Sequence, residues 1–371
     1  YSNFTFFLED SVNGDQIKQK EKRNLYGGSS ELLHEYTWGN MQLLFRAGAG
    51  VRYDAVNNLE LSHTANRTQI LEVIQLGNVD ETNTFAYANT EWVIGDFLIN
   101  PGVRIDRFRF QYDDLTDQQY SVLSHNKTVF GPKLNIIYNP KVNIQYYLKS
   151  GIGFHSNDTR TILFEKVENA LPKSIGADVG TMWKPSNALL LNVGLWTLFM
   201  EQEFVYVGDA GVVEPGGETM RNGIDFSLRF EITKGLFLYS DFTYSHARAL
   251  DQTAGENYIP LAPVITSVTS LTYKVNKGFY SSVRSRFLSD RPANENNTVI
   301  AEGYFITDVS VGYLWRAFDL NINIENILNA EWNETQFNTE SRLYDEPYPV
   351  EEIHFTPGTP LFIKGSVRYS F

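Results

Sequence analysis

The segment FITDVSVGYLW, residues 305–315, alternates between apolar and polar side chains almost without error. Two more segments near the end of the chain do the same: FDLNINIE at 318–325 and LFIKGSVRYSF at 361–371. Successive side chains of a β-strand point to opposite faces, so each segment predicts a strand with one apolar and one strongly polar face. A sheet of such strands suits a position between hydrocarbon and water, which is typical of membrane-spanning β-barrels.

The alternative to a membrane barrel is a soluble β-sandwich, whose strands also alternate. The apolar rows here end in aromatic residues, as in the interfacial girdles of membrane barrels: Tyr313, Trp315, Tyr369 and Phe371. The alternation also recurs along all 371 residues, which is too long for one sandwich. We therefore predict an all-β fold, a transmembrane antiparallel up-and-down β-barrel.

Composition narrows the function classes. The aromatic content is 14%, high for an ordinary globular domain, and no run of apolar residues is long enough for a transmembrane helix. The chain has no cysteine, which excludes thiolate metal sites and cysteine nucleophiles. A net charge of −13 argues against a nucleic-acid partner, because phosphates attract a basic surface. The chain starts at Tyr1 without a recognisable targeting segment, and we expect it to be a fragment.

Predicted strands and connections of two very different lengths follow one another along the chain. The sixteen predicted strands are 2–8, 24–37, 41–56, 83–94, 97–111, 126–138, 142–155, 172–183, 188–207, 222–232, 236–248, 262–273, 278–290, 305–315, 318–325 and 361–371. The predicted long polar loops are 9–23, 57–82, 112–125, 156–171, 208–221, 249–261, 291–301 and 331–360. Every short turn falls at one end of the barrel and every long loop at the other, as in barrels with short periplasmic turns and long outer loops.

The hydrocarbon of the membrane requires a closed sheet. Hydrocarbon offers no hydrogen-bond partners, so every backbone N–H and C=O group in the membrane must pair within the protein. If strands are missing from this chain, its sheet has open edges, and we expect that it cannot form a stable closed pore alone.

Short motifs occur in a characteristic order along most of the sequence. They are GVRID at 102–106, FGPK at 130–133 with YNP at 138–140, RNGID at 221–225, IPLAP at 259–263, GYF at 303–305, IENILNA at 324–330, PG at 357–358 and the terminal Phe371. In this order and spacing they resemble the C-terminal part of the barrel of TonB-dependent receptors, which are active importers of the outer membrane. Ala330-Glu331-Trp332 departs from the usual aromatic close of the penultimate motif.

The resemblance carries expectations about the whole protein. It implies a barrel of about 22 strands, of which residues 1–371 supply the C-terminal part, while nothing in this chain resembles the plug domain. It implies a bacterial outer-membrane location and partners that include outer-membrane lipid, an upstream barrel and plug segment, and the TonB-ExbB-ExbD energising complex acting through the plug. The expected substrate is a ferric siderophore or another metal chelate.

Other function classes stay open at this point. A TonB-dependent glycan importer with a surface lipoprotein partner is the second possibility within the family. A complete sixteen-stranded porin, a passive diffusion channel, is the alternative outside it, because sixteen is also a porin number. An enzyme is disfavoured because no nucleophile and base form a convincing set. The six histidines are scattered without an HxxxH or HExxH pattern, so we predict no metal site and no cofactor.

Two sets of residues are candidates for function. The loop 331–360 carries seven carboxylates against the single Arg342, a field that favours cationic or metal-bearing ligands. Aromatic and polar side chains in this loop are predicted to bind ligand: Trp332, Phe337, Arg342, Tyr344, Tyr348 and His354. The alternative is a solvated loop that bridges divalent cations at the surface. Charged residues on polar strand faces are predicted to face the lumen or plug, or to form an interstrand charge ladder: Arg104, Asp106, Arg284, Arg286, Lys364 and Arg368.

Overall fold

A computed structural model describes residues 1–116, 122–155, 159, 170–207, 212–275 and 278–371. Within these residues the chain forms one antiparallel sheet of fifteen strands and three small hairpins. The sheet strands are β1 (Ile17–Trp38), β2 (Met41–Ala65), β3 (Gln69–Ile94), β4 (Phe97–Asp114), β5 (Val122–Lys141), β6 (Ile144–Phe154), β7 (Lys173–Ser186), β8 (Leu189–Met200), β11 (Thr219–Thr233), β12 (Leu236–Ala249), β13 (Ile265–Tyr273), β14 (Gly278–Leu288), β17 (Tyr304–Trp315), β18 (Phe318–Glu325) and β21 (Phe362–Tyr369). The hairpin strands are β9 (Phe204–Val207) with β10 (Val212–Pro215), β15 (Arg291–Pro292) with β16 (Ile300–Ala301), and β19 (Asn333–Ser341) with β20 (Val350–Pro357).

Each sheet strand pairs with the next sheet strand along the chain, which confirms the predicted up-and-down fold. The order begins with β1 and ends with β21, and these two strands are the edges of an open sheet. No helix among the described residues has the length and apolarity to cross a membrane.

Short and long connections segregate as predicted. Two-residue turns at 39–40, 95–96, 142–143, 187–188, 234–235 and 316–317 join strands at one end of the sheet. We call this end the turn end. The opposite end, called the loop end, carries the three small hairpins and the longer connections. Residue 276 of the predicted turn near 275–276 lies outside the described residues, as do residues 117–121, 156–158, 160–169 and 208–211 of the predicted loops 112–125, 156–171 and 208–221.

The sheet has fifteen strands rather than sixteen because the predicted strand 2–8 does not join it. This segment forms bends and isolated bridges, of which one connects Ser2 with Ile17 and another connects Phe6 with Arg342. Its alternation of apolar and polar residues serves packing against a distant loop rather than pairing in the sheet.

Several predicted loops contain strands, and the two with the most are 57–82 and 331–360. Most of segment 57–82 belongs to β2 and β3, which continue to a turn at 66–68. Segment 331–360 contains the hairpin of β19 and β20. Beyond the membrane no hydrocarbon lies along one face of a hairpin, so its strands do not need the alternation that marks spanning strands. Individual contacts decide which residues are buried there, such as Ser62 and Gln336.

The two faces of the sheet have different surfaces. On β17 and β18 the exposed side chains include Val311, Tyr313, Leu320 and Ile322, all from the apolar rows of the sequence. We call this surface the apolar face and its opposite the polar face. Small apolar clusters pack at the loop end of the polar face: Phe108, Phe110, Val129, Ala170 and Leu171 form one, and Val56, Val79 and Tyr112 form another.

Candidate functional site

The first two charged residues predicted to face the lumen, Arg104 and Asp106, form an ion pair on the polar face. Arg104 and Asp106 lie two residues apart on β4, and the guanidinium donates to both carboxylate oxygens at 2.7 and 2.8 Å. Asn83 of β3 donates to the same carboxylate at 3.1 Å, and the Arg104 guanidinium lies 4.0 Å from the centre of the Phe85 ring. Asp106 is fully buried, at 1% exposure. The charges of Arg104 and Asp106 therefore neutralise each other within one strand, so this pair is not a rung of the predicted interstrand ladder.

Arg286 belongs to a second paired group on the polar face. Its guanidinium donates to Asp308 of β17 at 3.0 Å, and the other oxygen of Asp308 accepts the N–H of Asn326, also at 3.0 Å. Arg284 lies opposite Asp308 in the register of β14 and β17, without an ion pair among the described residues. The predicted ligand residue Trp332 comes close to this group, with its ring 5.9 Å from the Arg286 guanidinium.

Asn326 explains part of the motif at 324–330. It is buried, has a φ of 50°, and its amide group donates to the carbonyls of Ala330 and Thr359 at 2.8 and 3.1 Å. Its side-chain oxygen accepts the N–H of Ala330 at 2.9 Å. Asparagine tolerates the left-handed conformation and bonds to nearby backbone, which is what this turn between β18 and the β19–β20 hairpin requires.

Lys364 and Arg368 lie on the edge strand β21. They are opposite Asn323 and Asp319 in the register, and both side chains are exposed. Among the described residues neither forms an ion pair within 4.0 Å. Their polar neighbours on the other side of β21 would have to come from outside this sheet.

Sequence reasoning missed an acidic cavity in the polar face. Residues of β6, β7, β8 and β11 line a cavity of about 300 Å³, which we call the acidic cavity: Tyr147, Gly176, Ala177, Asp178, Asn192, Gly194, Trp196, Thr197 and Asp225. Thr243 donates to the Asp225 carboxylate at 2.7 Å. The indole N–H of Trp196 is buried without a hydrogen-bond partner among the described residues. The available signal was an isolated aspartate in a strand of small and apolar residues around Asp178.

Carboxylates beside aromatic rings define what the acidic cavity can bind. Asp178 and Asp225 supply negative charge, and the rings of Tyr147 and Trp196 supply surfaces that attract cations. An ammonium or guanidinium group fits this combination of charge and aromatic surface. The lining of the acidic cavity is therefore complementary to a basic group.

The aromatic residues of the predicted ligand loop form contacts with the start of the chain. Phe337 meets Phe4 edge-on with ring centres 5.7 Å apart, and His354 stacks on Phe6 at 5.5 Å. Tyr344 meets a third phenylalanine, Phe7, at 5.3 Å. We call these contacts the clasp. They use surfaces of Phe337, His354 and Tyr344 that the sequence predicts to be available for ligand.

Backbone hydrogen bonds complete the clasp. The N–H of Phe7 donates to the carbonyl of Arg342 at 2.9 Å, and the N–H of Arg342 donates to the carbonyl of Thr5 at 3.2 Å. Phe6, between them, has a φ of 59°, an uncommon conformation for a bulky residue that the surrounding contacts must hold in place. Arg342 thus takes part through its backbone.

The remaining two predicted ligand residues lie outside the clasp. Trp332 packs edge-on against Tyr304 at 5.0 Å, and its indole N–H donates to the carbonyl of Thr359 at 3.0 Å. Tyr348 is in solvent, at 77% exposure. The structure therefore divides the six residues into four in the clasp, one beside the polar-face ion pairs and one at the tip of the hairpin.

Asp15 anchors the segment that forms the clasp. Its buried carboxylate accepts the hydroxyl of Thr5 and the backbone N–H groups of Leu8 and Asp10, each at 2.8 Å. The carboxylate of Asp10 in turn accepts the N–H groups of Asn13 and Val12, and hydrogen bonds from Asn13 and Val12 lower the pKa of Asp10 to about 2. Residues 1–16 are thereby fixed into a compact loop directly before β1.

The clasp connects opposite edges of the open sheet. Its first half precedes the edge strand β1, and its second half is the hairpin inserted between β18 and the other edge strand, β21. A contact between these two ends at the loop end therefore bridges the gap that the open sheet leaves. Among the described residues no group of three or more His, Asp or Glu side chains is arranged to hold a metal ion.

The family model for the β-barrel of TonB-dependent-receptor-like proteins matches residues 1–327. The chain belongs to this family. The match ends within the motif at 324–330. The family consists of bacterial outer-membrane transport receptors rather than enzymes. Its members work with TonB.

Solved structures of the family share the fold at low sequence identity. The unliganded ferric citrate transporter FecA is 16% identical and superimposes with a TM-score of 0.77, covering 95% of this chain and 55% of FecA. The closed form of the ferric-catecholate import receptor Fiu from E. coli K12 is 15% identical, with a TM-score of 0.71 over 95% of this chain and 55% of Fiu. The copper transporter OprC is 14% identical, with a TM-score of 0.71 over 96% of this chain and 57% of OprC. The chain spans about half the length of these proteins.

Proposed function

We propose that this chain is the larger part of the barrel of an energised importer in the bacterial outer membrane, and that its cargo is a ferric siderophore or a related metal chelate. The observation that carries the proposal is the match to the receptor family over residues 1–327 together with the open sheet of the same fold. The similar structures include transporters or receptors of ferric citrate, ferric catecholates and copper. The acidic character of loop 331–360 favours chelates of neutral or positive net charge over anionic chelates.

The open sheet supports a barrel completed by other strands. Strands β1 and β21 each leave one row of backbone groups unpaired, which hydrocarbon does not tolerate. We propose that an upstream barrel segment pairs with both edges and that a plug domain fills the lumen. The TonB-ExbB-ExbD complex would then act through the plug.

The acidic cavity is our candidate for a plug contact. It presents Asp178, Asp225 and two aromatic rings on the polar face, where a lumenal domain would lie. A basic side chain of the plug would supply the positive charge that pairs with these carboxylates. Removal of this contact would shift the equilibrium between the resting and the displaced position of the plug. The polar-face pairs at Arg104 and Arg286 have their partners within the sheet and would contribute shape rather than free charge.

The decisive experiment measures energy-dependent uptake by cells that express the full-length protein containing this chain. Cells are starved of iron and supplied with radiolabelled iron, either as a neutral or cationic ferric hydroxamate or as the anionic ferric citrate or a ferric catecholate. They are compared with cells that lack TonB or are treated with a protonophore. We expect uptake that disappears in both controls. Uptake of small solutes that persists without TonB and without a proton gradient would instead establish the porin alternative, while energy-dependent uptake of oligosaccharides alone would favour the glycan importer.

The plug contact is tested separately with a double variant. Asp178→Asn with Asp225→Asn keeps the size of both side chains and removes their charge. We expect uptake to fall by about tenfold, corresponding to loss of roughly one charged contact, while the protein remains folded by heat-modified gel mobility. The matched control is Asp241→Asn, on the same face of the next strand. Unchanged uptake in the double variant would refute the plug contact without affecting the proposed import.

A further inference from the structure

A cavity of about 350 Å³ lies at the loop end between β12 and the connections that follow β12 and β14. Its lining includes two arginines and a histidine, together with one carboxylate: Arg248, Arg291, His246 and Asp290. In a chain of net charge −13, a concentration of basic groups around one cavity is a local exception. We call it the basic cavity.

Arg291 is the buried member of this group. Its residue exposure is 8%, and its guanidinium donates a long hydrogen bond of 3.4 Å to the carbonyl of Glu302. Within the described part of the chain no carboxylate lies within ion-pair distance of it. Burial lowers the pKa of Arg291. A buried guanidinium with few partners is costly unless an anion completes its hydrogen bonds.

Asp290 does not fill this role. One of its carboxylate oxygens accepts the N–H of Gly303 at 2.7 Å, which holds the side chain toward the β14–β17 connection. The charges of Tyr304 and Asp290 raise the pKa of Arg291, but burial lowers this pKa by more. Apart from the long hydrogen bond to Glu302, the guanidinium donors of Arg291 therefore remain for a ligand.

Arg248 approaches the same cavity from β12. Its guanidinium lies over the ring of Tyr258, 4.2 Å from the centre, and one N–H donates to the carbonyl of Ala247 at 2.7 Å. The stacked guanidinium keeps a fixed plane and leaves further N–H donors on its edge. Two planar guanidinium groups at one cavity match the oxygens of a phosphoryl group, which accept paired hydrogen bonds.

The position of the cavity relative to the membrane follows from the alternation of β12. Phe242, Tyr244, His246 and Arg248 share one face of this strand, and Phe242 and Tyr244 belong to the exposed apolar face of the sheet. The row thus changes from apolar to basic toward the loop end. In a membrane barrel this change marks the boundary between the hydrocarbon and the headgroup layer.

We propose that the basic cavity binds a phosphoryl anion, as carried by the headgroup of a membrane lipid or by a phosphorylated solute. Arg291 and Arg248 donate to the phosphoryl oxygens, and Tyr244 meets the boundary of the hydrocarbon below them. The site is separate from the acidic cavity and is independent of the cargo proposed above.

The test uses the full-length protein containing this chain in two formats. In nanodiscs, native mass spectrometry counts phosphatidylglycerol retained against phosphatidylcholine, a lipid without net charge. In detergent, inorganic phosphate alone is titrated and its binding is followed by line broadening in phosphorus NMR. The variants are Arg248→Gln and Arg291→Gln, with Arg316→Gln as the control, because Arg316 also lies over an aromatic ring, that of Trp315, but at the turn end.

We expect Arg248→Gln and Arg291→Gln each to weaken binding by about tenfold or more and Arg316→Gln to leave it unchanged. Retention of phosphatidylglycerol identifies a lipid headgroup as the source of the phosphoryl group, and binding of inorganic phosphate without lipid preference identifies a solute. Because Arg248 is the less buried arginine, its variant gives a result even if Arg291→Gln fails to fold. Equal binding in wild type and Arg248→Gln, or equal loss in Arg316→Gln, would overturn the proposal.

Discussion

The sheet at β17 and β18 and the clasp at the loop end hold their residues in place by different means. In β17 and β18, each side chain meets either hydrocarbon or the polar interior, and position along the strand decides which. In the clasp, residues near the start of the chain contact residues more than three hundred positions later, such as Phe4 and Phe337. Water is available on both sides there, so the partner rather than the solvent decides the structure.

This difference explains which mutations should matter where. A spanning strand should tolerate a change on its polar face and reject a charge on its apolar face. The clasp should respond to loss of a specific hydrogen-bond acceptor while the sheet remains intact. The predictions below test the contrast in order of decreasing effect.

The largest effect is expected from a charge on the apolar face in the middle of β14. Val283→Lys should destabilise the folded barrel by about 2–4 kcal/mol, because Val283 is exposed on that face and lysine would meet hydrocarbon. The neighbour Ser282 lies on the polar face, and Ser282→Lys should cost less than about 1 kcal/mol. Urea unfolding of the full-length protein in lipid vesicles, followed by tryptophan fluorescence, measures both. Equal effects at these adjacent positions would contradict the assignment of faces.

A smaller effect is expected from the buried ion pair of β4. Asp106→Ala leaves Arg104 without its carboxylate and should cost about 1–3 kcal/mol, below the full value for a buried pair because the Arg104 side chain is 42% exposed. The matched control is Asp241→Ala, whose carboxylate pairs with Arg229 at 2.8 Å but is 50% exposed. The Asp241→Ala substitution should lower the free energy of unfolding by no more than about 1 kcal/mol. If Asp241→Ala lowered the free energy of unfolding more than Asp106→Ala, burial would not determine how much these ion pairs stabilise the barrel.

The smallest effect is expected in the clasp. Asp15→Ala removes the acceptor for Thr5, Leu8 and Asp10 and should open residues 1–16 locally by about 1 kcal/mol, since water can replace part of the lost hydrogen bonding. Hydrogen exchange should accelerate at the amide of Leu8 and stay unchanged in β17. Asp10→Ala, at an exposed turn of the same loop, serves as the control and should change the exchange of Leu8 little. Faster exchange throughout the sheet would mean that the clasp is part of the barrel's global stability.

Particular elements show how far sequence reasoning reached. The alternation in 305–315 and 318–325 predicted β17 and β18 almost to the residue, because a membrane strand has a different solvent on each face. The same reasoning was wrong for 2–8, where Phe4 and Phe6 alternate to pack on a hairpin instead of joining the sheet. It also missed most of the extension of β2 and β3 through the polar segment 57–82, where neighbouring residues such as Leu61 and Ser62 are both buried instead of alternating with exposed ones.

The candidate sites divide in the same way. Alternation placed Arg104, Asp106 and Arg286 on one face of the sheet, but it does not say that Asp106 neutralises Arg104 or that Asp308 binds Arg286. The aromatic composition of loop 331–360 drew attention to Phe337 and the other rings there, without indicating that residues 1–16 cover several of them. The ligand roles of these residues remain predictions.

The sequence by itself determined the class of fold, the apolar and polar faces of most spanning strands, and the separation of short turns from long loops. These features are local, because the solvent on each face fixes the side chain at every second position. Only the tertiary structure revealed the clasp, the acidic cavity between β6, β7, β8 and β11, and the basic cavity at Arg248 and Arg291. Each of these brings together residues from separate strands or loops, and the free energy of such contacts depends on partners that no local pattern specifies.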